Sequence, residues 1–351
     1  MSVELYDWMK KKARTLGNTG LKVSPLSFGS ASISSDGGGY GFGPIGFNES
    51  MSLIEKSIEM GVNLFDSAPV YGMQEAEMRL GKFFKARGGR KNIFLTSKSG
   101  VTWHPNKRIN LTNDPKVTES MLLQSLKDFQ TDYIDIYFIH WPDSAVDIRR
   151  PLEVLVKYQE KGAIRFLGLC NTNESDYLRS KDVAKIDVMQ CEYNLFQKKV
   201  EEYILPLCKN ENLGFMAWGT LEKGILSGQF HPKKALHASD NRVGAPWFKQ
   251  KDVSFKCELV EKMKQNGNAI VNSKDGNPFS MMAFSLGYYF SRPEVTTLLC
   301  GSKTLLQWSE SIEALKKGEH YFEGNMKWTE DEIRSLIKIA DQFNLSKKET
   351  L

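Results

Sequence analysis

The stretch Ile134-Asp135-Ile136-Tyr137-Phe138-Ile139-His140 is a short apolar run with a titratable residue at its end. Runs of this length and composition suit a parallel strand buried on both faces. Seven more candidate strands share the pattern: residues 23–29, 64–66, 93–97, 164–169, 188–192, 214–218 and 295–301. The spacing between them is mostly about 20 to 40 residues, as βα units require. Amphipathic stretches fill the intervals. Leu53, Ile54, Ile58 and Met60 form one helical stripe, opened by Asn48-Glu49-Ser50 and stopped by Gly61. Met121, Leu122, Leu126 and Phe129 form another behind Pro115, and Pro151 opens a third that Gly162 closes.

Eight alternating units predict an α/β fold, a (β/α)8 barrel, with an open doubly wound sheet as the alternative. Residues 14–23 read as an N-terminal β-hairpin around Gly17-Asn18-Thr19-Gly20. Extra helices are expected after strand seven, over 255–265 and 279–290, and at the C-terminus over 329–343. The linker 220–254 is irregular, and such a stretch inside a compact domain is usually a lid or clamp. The expectation is one domain over 1–351, with a core of about 14–316.

Composition narrows the function classes. Of 351 residues, 41% are apolar and 25% charged, and the net charge is only +5. The basic residues are scattered; their densest cluster, Lys10-Lys11-Lys12 with Arg14, has no interleaved aromatics. Nucleic acid is therefore not expected as a partner. Cys170, Cys191, Cys208, Cys257 and Cys300 form no C-x-x-C pair, so neither a disulfide framework nor a metal site is expected. There is no apolar segment of the roughly 18 residues that span a bilayer, and no signal-peptide core. A cytoplasmic protein with no membrane partner is the expectation.

Chemistry in a barrel gathers at the C-terminal ends of the strands. There the sequence places Asp66, Lys98 and His140 at three consecutive strand ends, with Tyr71 in the loop after Asp66. A free phenol has a pKa of about 10. A neighbouring ammonium favours the phenolate, and a carboxylate keeps that ammonium charged. The set makes a tuned proton donor for a carbonyl oxygen, with His140 to orient it. For any one of the four a structural role is the simpler reading; all four in this order argue for a site.

The motifs around these residues resemble the aldo-keto reductase family. Phe65-Asp66-Ser67-Ala68-Pro69-Val70-Tyr71-Gly72 is similar to its F-D-T-A-x-x-Y-G signature, continued by Glu75 and Leu80-Gly81. Thr96-Ser97-Lys98 and the stretch from Asp132 to Asp143 match its third and fourth strands, and the residues 16–24 its opening hairpin. The resemblance implies a nicotinamide-dependent oxidoreductase of aldehydes, ketones or sugar-like substrates. Asp66, Tyr71, Lys98 and His140 would be the catalytic tetrad. NADPH is the implied cofactor, with NADH possible, bound across the barrel mouth without a Rossmann glycine loop.

The resemblance also implies the cofactor site. Gly29, Ser30 and Asp66 line it from the first two strands. Asn171 and Gln190 would hold the carboxamide, with Cys170 where the family has a serine. Trp218 would stack on the nicotinamide, a core tryptophan being the alternative. Gly219, Thr220, Leu221, Gly224, Leu226 and Gly228 resemble the pyrophosphate loop. Gly301, Ser302, Lys303, Gln307, Glu310 and Ser311 resemble the adenosine site. Gln307 and Ser311 stand where relatives often have Arg and Asn, which leaves Lys303 to meet a 2′-phosphate. Trp141, with Tyr71 and His140, is assigned to the substrate; Trp103 and Phe42 are further candidates. The glycine-rich stretch 37–43 reads as a mobile loop on the substrate side. An oligomer is compatible with the sequence. Two other functions remain open: a nucleotide-sensing subunit of a membrane channel, and a Schiff-base lyase with Lys98 as nucleophile.

Overall fold

Pro25 divides what reads in the sequence as one strand. Lys22–Val23 pairs antiparallel with Arg14–Thr15, making the expected hairpin. The chain restarts beyond Pro25 as β1, Leu26–Gly29, the first strand of the barrel. A computed structural model describes residues 2–36, 38–274, 278–323 and 328–348. Gly37, in the expected glycine-rich loop, lies outside them.

The remaining barrel strands are β2 (Leu64–Asp66), β3 (Phe94–Ser99), β4 (Ile134–Ile139), β5 (Ile164–Cys170), β6 (Val188–Glu192), β7 (Gly214–Trp218) and β8 (Val295–Cys300). All neighbours pair in parallel, and β8 closes on β1. The eight-stranded closed barrel with its surrounding helices is the (β/α)8 fold, not an open sheet. β1 starts three residues later than expected, and the other seven strands differ by at most two residues from those expected. β3 is shifted and continues to Ser99, so Lys98 lies inside a strand rather than at its end.

The hairpin closes the lower end of the barrel. Leu16, Leu21 and Val23 are buried against Leu64, Ile136, Phe138, Val188 and Met216. Each such side chain contributes about 1.5–3 kcal/mol on full burial. Alternation along the strands then decides what occupies the upper end. The inward residues change from apolar to polar as the chain climbs: Leu64 to Asp66, Phe138 to His140, Val188 to Gln190. The outward residues, such as Phe65, Leu95, Tyr137 and Leu167, pack under the helices.

The helical additions fall where expected; the first and last are longer than expected, and the middle one starts two residues later. Gln250–Asn272 and Met281–Phe290 follow β7, and Glu330–Lys348 ends the described chain. Two elements have no counterpart in the sequence reading. Ser2–Lys11 is a helix whose Leu5 and Met9 enter the core, and Lys12 beyond it pairs with Glu319 and Glu323. Val101–Trp103 and Ile109–Leu111 form a hairpin that rises above β3. No helix among the described residues is long and apolar enough to cross a membrane.

Candidate active site

Asp66 is nearly fully buried and takes donors on both oxygens. Oδ2 accepts from Lys98 Nζ at 2.7 Å. Oδ1 accepts from Thr96 Oγ1 at 2.6 Å and Gln190 Nε2 at 2.8 Å. Lys98 has no solvent exposure, and its Nζ also donates to Ser67 O at 2.7 Å and reaches Tyr71 OH at 3.5 Å. Three acceptors suit an ammonium. A Schiff-base nucleophile would need a free amine.

The His140 ring meets the Tyr71 ring edge-on, with centroids 6.0 Å apart. All four residues of the expected tetrad are thus in one cluster at the upper rim. Burial, reinforced by the Lys98 charge, holds the His140 pKa well below 6.5, so the imidazole is neutral at pH 7. The phenol departs from the sequence expectation. Burial, with the Asp66 charge next, raises Tyr71 well above 10. Asp66 lies closer to the ammonium than the phenol does, which offsets the pull of Lys98. The phenol is consequently protonated at neutral pH, the state a proton donor needs.

The residues assigned to the cofactor fall into three groups. Asn171, Cys170, Gln190 and Trp218 lie together at the rim. Trp218 Nε1 donates to Asn171 Oδ1 at 3.0 Å, and Asn171 Nδ2 donates to His140 O at 2.9 Å. Cys170 Sγ contacts Gln190 Oε1 at 3.4 Å. Ser30, at the end of β1 beside Gly29, donates to Ser67 Oγ at 2.7 Å. The second group follows β7, where Gly219, Gly224 and Gly228 all have positive φ, the conformation glycine adopts without strain. Thr220 and Leu226 are buried, and Leu221 packs against the core. Within this loop Lys223 is paired with Glu192 and Glu222 and lies over the Trp218 ring.

The third group follows β8. Thr304 caps the helix Leu305–Phe322, and Gln307 Oε1 accepts from Lys303 N at 3.0 Å. Gly301 is exposed, Ser302 is buried and Glu310 is half-buried. Ser311 turns away from the mouth: its buried hydroxyl donates to Gln307 O at 2.8 Å. Lys303 Nζ donates to Phe42 O at 3.1 Å and Pro44 O at 2.7 Å.

Residues 38–43 are accordingly tied down, whereas the sequence suggested a mobile loop. Gly39 bridges to Tyr71, and Phe42 to Asp240. Asn241 N donates to Gly41 O at 3.0 Å. The Arg242 guanidinium lies over the Phe42 ring at 5.5 Å while it binds Asp240. Loops after β1, β7 and β8 therefore join across the mouth.

On the substrate side, Trp141 and Trp103 cluster with Tyr71, Ala68, Val70 and Val101. Phe42 is under Arg242 and not in this cluster. The sequence reading missed Tyr40, whose ring meets the His140 edge at 6.3 Å between centroids. It also missed Glu77, fully buried behind the tetrad. Tyr40 stands in a glycine-rich stretch with no periodicity to reveal it; Glu77, a charged residue two positions from Glu75, has no signal of burial in its neighbours.

Comparisons with known proteins agree with this geometry. The aldo/keto reductase family model matches residues 25–320. Aldo-keto reductase YhdN of Bacillus subtilis is 31% identical over 236 residues, covering 67% of this chain and 70% of its own. Aldo-keto reductase yakc [NADP(+)] of Schizosaccharomyces pombe is 26% identical, covering 78% and 80%. Among solved structures, a glycerol dehydrogenase of Gluconobacter oxydans superposes with a TM-score of 0.75 at 23% identity, covering 94% of this chain and 95% of that one. The holo form of an aldo-keto reductase of Bacillus halodurans gives 0.71 at 20%, covering 93% and 95%. These two share the fold. The family model spans the barrel from its first strand to the helix after its last, and the chain belongs to the aldo/keto reductase family, oxidoreductases acting on small carbonyl compounds.

Proposed function

We propose that the chain moves hydride between NADPH and a small aldehyde, ketone or sugar-like carbonyl compound, with Tyr71 as general acid and, in reverse, general base. The observation that carries this reading is the Tyr71 phenol within reach of the buried Lys98–Asp66 pair, with the His140 ring edge-on against it.

The residues present fit a nicotinamide dinucleotide. The half-buried indole of Trp218 offers a flat apolar face at the rim. Asn171 and Gln190 supply amide groups beside it. Gly219 and Gly224 leave backbone free of side-chain bulk. Burial lowers the Lys303 pKa, Asp240 opposes the shift, and Arg242, which is bonded to Asp240, lies near enough to add to it. Paired cations at a loop suit an anionic diphosphate. The NADP(+) in the name of the Schizosaccharomyces pombe relative supports the choice of NADPH. Bound there, the nicotinamide supplies the hydride.

The chain's own residues do the rest. His140 donates a hydrogen bond that orients the carbonyl oxygen. Tyr71 gives its proton to the oxygen as negative charge develops there. Lys98 stabilises the phenolate left behind, and Asp66 holds Lys98 in place. The aromatic wall of Trp103, Trp141 and Tyr40 excludes water and strengthens these interactions. The full set of acceptors around Lys98 gives the lyase alternative no support.

Nucleotide binding followed by tryptophan fluorescence tests the reading, with wild type and Tyr71→Phe side by side. Both proteins should bind NADPH. Aldehyde reduction should fall by about 10²–10⁴-fold in the variant, the usual range for a lost general acid. Folded wild type that binds neither NADPH nor NADH would overturn the proposal.

A further inference from the structure

A second buried carboxyl lies behind the acid. Glu77 is in the first turn of the helix Glu75–Ala86, which starts just beyond the Tyr71 loop. It has no solvent exposure. Its hydrogen-bond partners are hydroxyls. Ser97 Oγ donates to Oε1, and Ser125 Oγ donates to Oε2 at 3.1 Å. The two serines touch each other at 3.1 Å.

Strand geometry relates this pocket to the active site. Alternation along β3 sends Ser97 outward to Glu77 and Lys98 inward to Asp66 and Tyr71. One strand therefore separates the Glu77 carboxyl from the Lys98 ammonium. The titratable groups that face the pocket are Lys98 from β3, Asp128 from the helix Pro115–Phe129, and Tyr137 from β4. The charge of Glu77 acts in turn on Tyr71.

We propose that Glu77 is a positioning residue for the proton donor: ionisation of its carboxyl, one strand behind Lys98, weakens Tyr71 as an acid and slows carbonyl reduction on the alkaline side. Burial, with the Asp128 charge adding to it, raises the Glu77 carboxyl to about 8, so the group changes charge in an accessible range. Below that pH it is neutral and leaves the Lys98 charge intact. Above it, an anion faces the ammonium from behind and opposes formation of the phenolate. The inference rests on the oxidoreductase reading.

The test is the pH profile of kcat for aldehyde reduction at saturating NADPH, from about pH 6 to about pH 10, for wild type, Glu77→Gln and Ser125→Ala. Infrared difference spectra of wild type against Glu77→Gln follow the protonated carboxyl directly and need no turnover. Wild type should lose about threefold or more of its rate across a limb near 8. Glu77→Gln should lack that limb. Ser125→Ala removes a donor to the carboxylate, so its limb should move to higher pH. An unchanged limb in Glu77→Gln overturns the proposal. If that variant does not fold, an unmoved limb in Ser125→Ala overturns it. A carboxyl band that persists unchanged at about pH 10 does so too. Absence of nucleotide-linked reduction in folded wild type would remove the oxidoreductase reading and this proposal together. That outcome is distinct, because the infrared titration would still report the carboxyl.

Discussion

Gln190 Nε2 donates to Asp66 Oδ1 at 2.8 Å, so a residue assigned to the cofactor is bonded to the tetrad. Its Oε1 meets Cys170 Sγ, which Asn171 Nδ2 also approaches, at 3.2 Å. The polar chain runs from Asn171 through Cys170 and Gln190 to Asp66 and Lys98. Replacing Gln190 by Leu leaves the buried Asp66 one donor short, a loss of about 1–3 kcal/mol. Under the proposed mechanism, Gln190→Leu should weaken NADPH binding and also lower kcat by roughly tenfold, since 1.4 kcal/mol is a factor of ten. Steady-state kinetics at saturating cofactor separates the two effects. A normal kcat would show that the contact with Asp66 does nothing for the acid.

Lys98 and Asp66 should be interdependent in stability. Neither has appreciable contact with water, and they are 2.7 Å apart. Lys98→Met strands a buried carboxylate that keeps only Thr96 and Gln190 as donors. Breaking such a pair costs about 3–5 kcal/mol. The double variant Lys98→Met/Asp66→Asn removes both charges and should regain a substantial part of that loss. Urea unfolding of the two single variants and the double variant gives the coupling. Additive losses would mean that the charges do not compensate one another.

The barrel, and the meeting of Asp66, Tyr71, Lys98 and His140 at its rim, were legible in the sequence for one reason. Strands buried on both faces are mostly apolar, so polar residues at their ends stand out: Asp66 and His140 close runs such as Ile134–Ile139, while Lys98 stood out as a charge in β3 although it lies inside that strand. The strand ends were less legible because pairing, not composition, decides them; Ser99 belongs to β3 only through its pairing with Ile139. Loops were least legible. Nothing local to Gly38–Gly43 indicates that Asn241 and Lys303, some two hundred residues or more away, hold that segment down. The direction of the Tyr71 shift was missed for a similar reason. Sequence order reveals that a lysine is near, but not that Asp66 is nearer to that lysine than the phenol is.

Glu77 also makes stability depend on pH, independently of catalysis. Its carboxyl is raised from 4.5 to about 8 in the folded chain. Between those values the folded state holds a proton that the unfolded state has lost. Stability conferred on the protonated form is thus complete below 4.5, declines as pH rises from there and is fully lost once pH passes about 8. At 1.36 kcal/mol per unit, the decline is on the order of 3–5 kcal/mol. Glu77→Gln carries no titrating group and should escape it. Urea unfolding of both proteins across the range from 4.5 to about 8 should therefore show the variant gaining on wild type as pH rises, with the difference levelling off above that range. Parallel losses in the two proteins would place the alkaline sensitivity elsewhere.

Gly39 and Gly38 should respond oppositely to alanine. Gly39 has φ +63°, and a Cβ there would collide with the Val70 carbonyl oxygen. Gly39 also bridges to Tyr71, so displacing it displaces the phenol. Gly38 has no heavy atom within 4 Å of the position a Cβ would take. Gly39→Ala combines backbone strain with a steric clash and should destabilise by about 1–3 kcal/mol. It should lower kcat further, because a misplacement of about 1 Å at a reacting group can cost about a hundredfold. Gly38→Ala should lie within about 0.5 kcal/mol of wild type, as unstrained surface changes do. Thermal unfolding and kcat measured on the two variants together check the pair. If Gly39→Ala were as active as Gly38→Ala, the bridge from Gly39 would have no part in placing Tyr71, and the loop after β1 would serve the cofactor and substrate faces only.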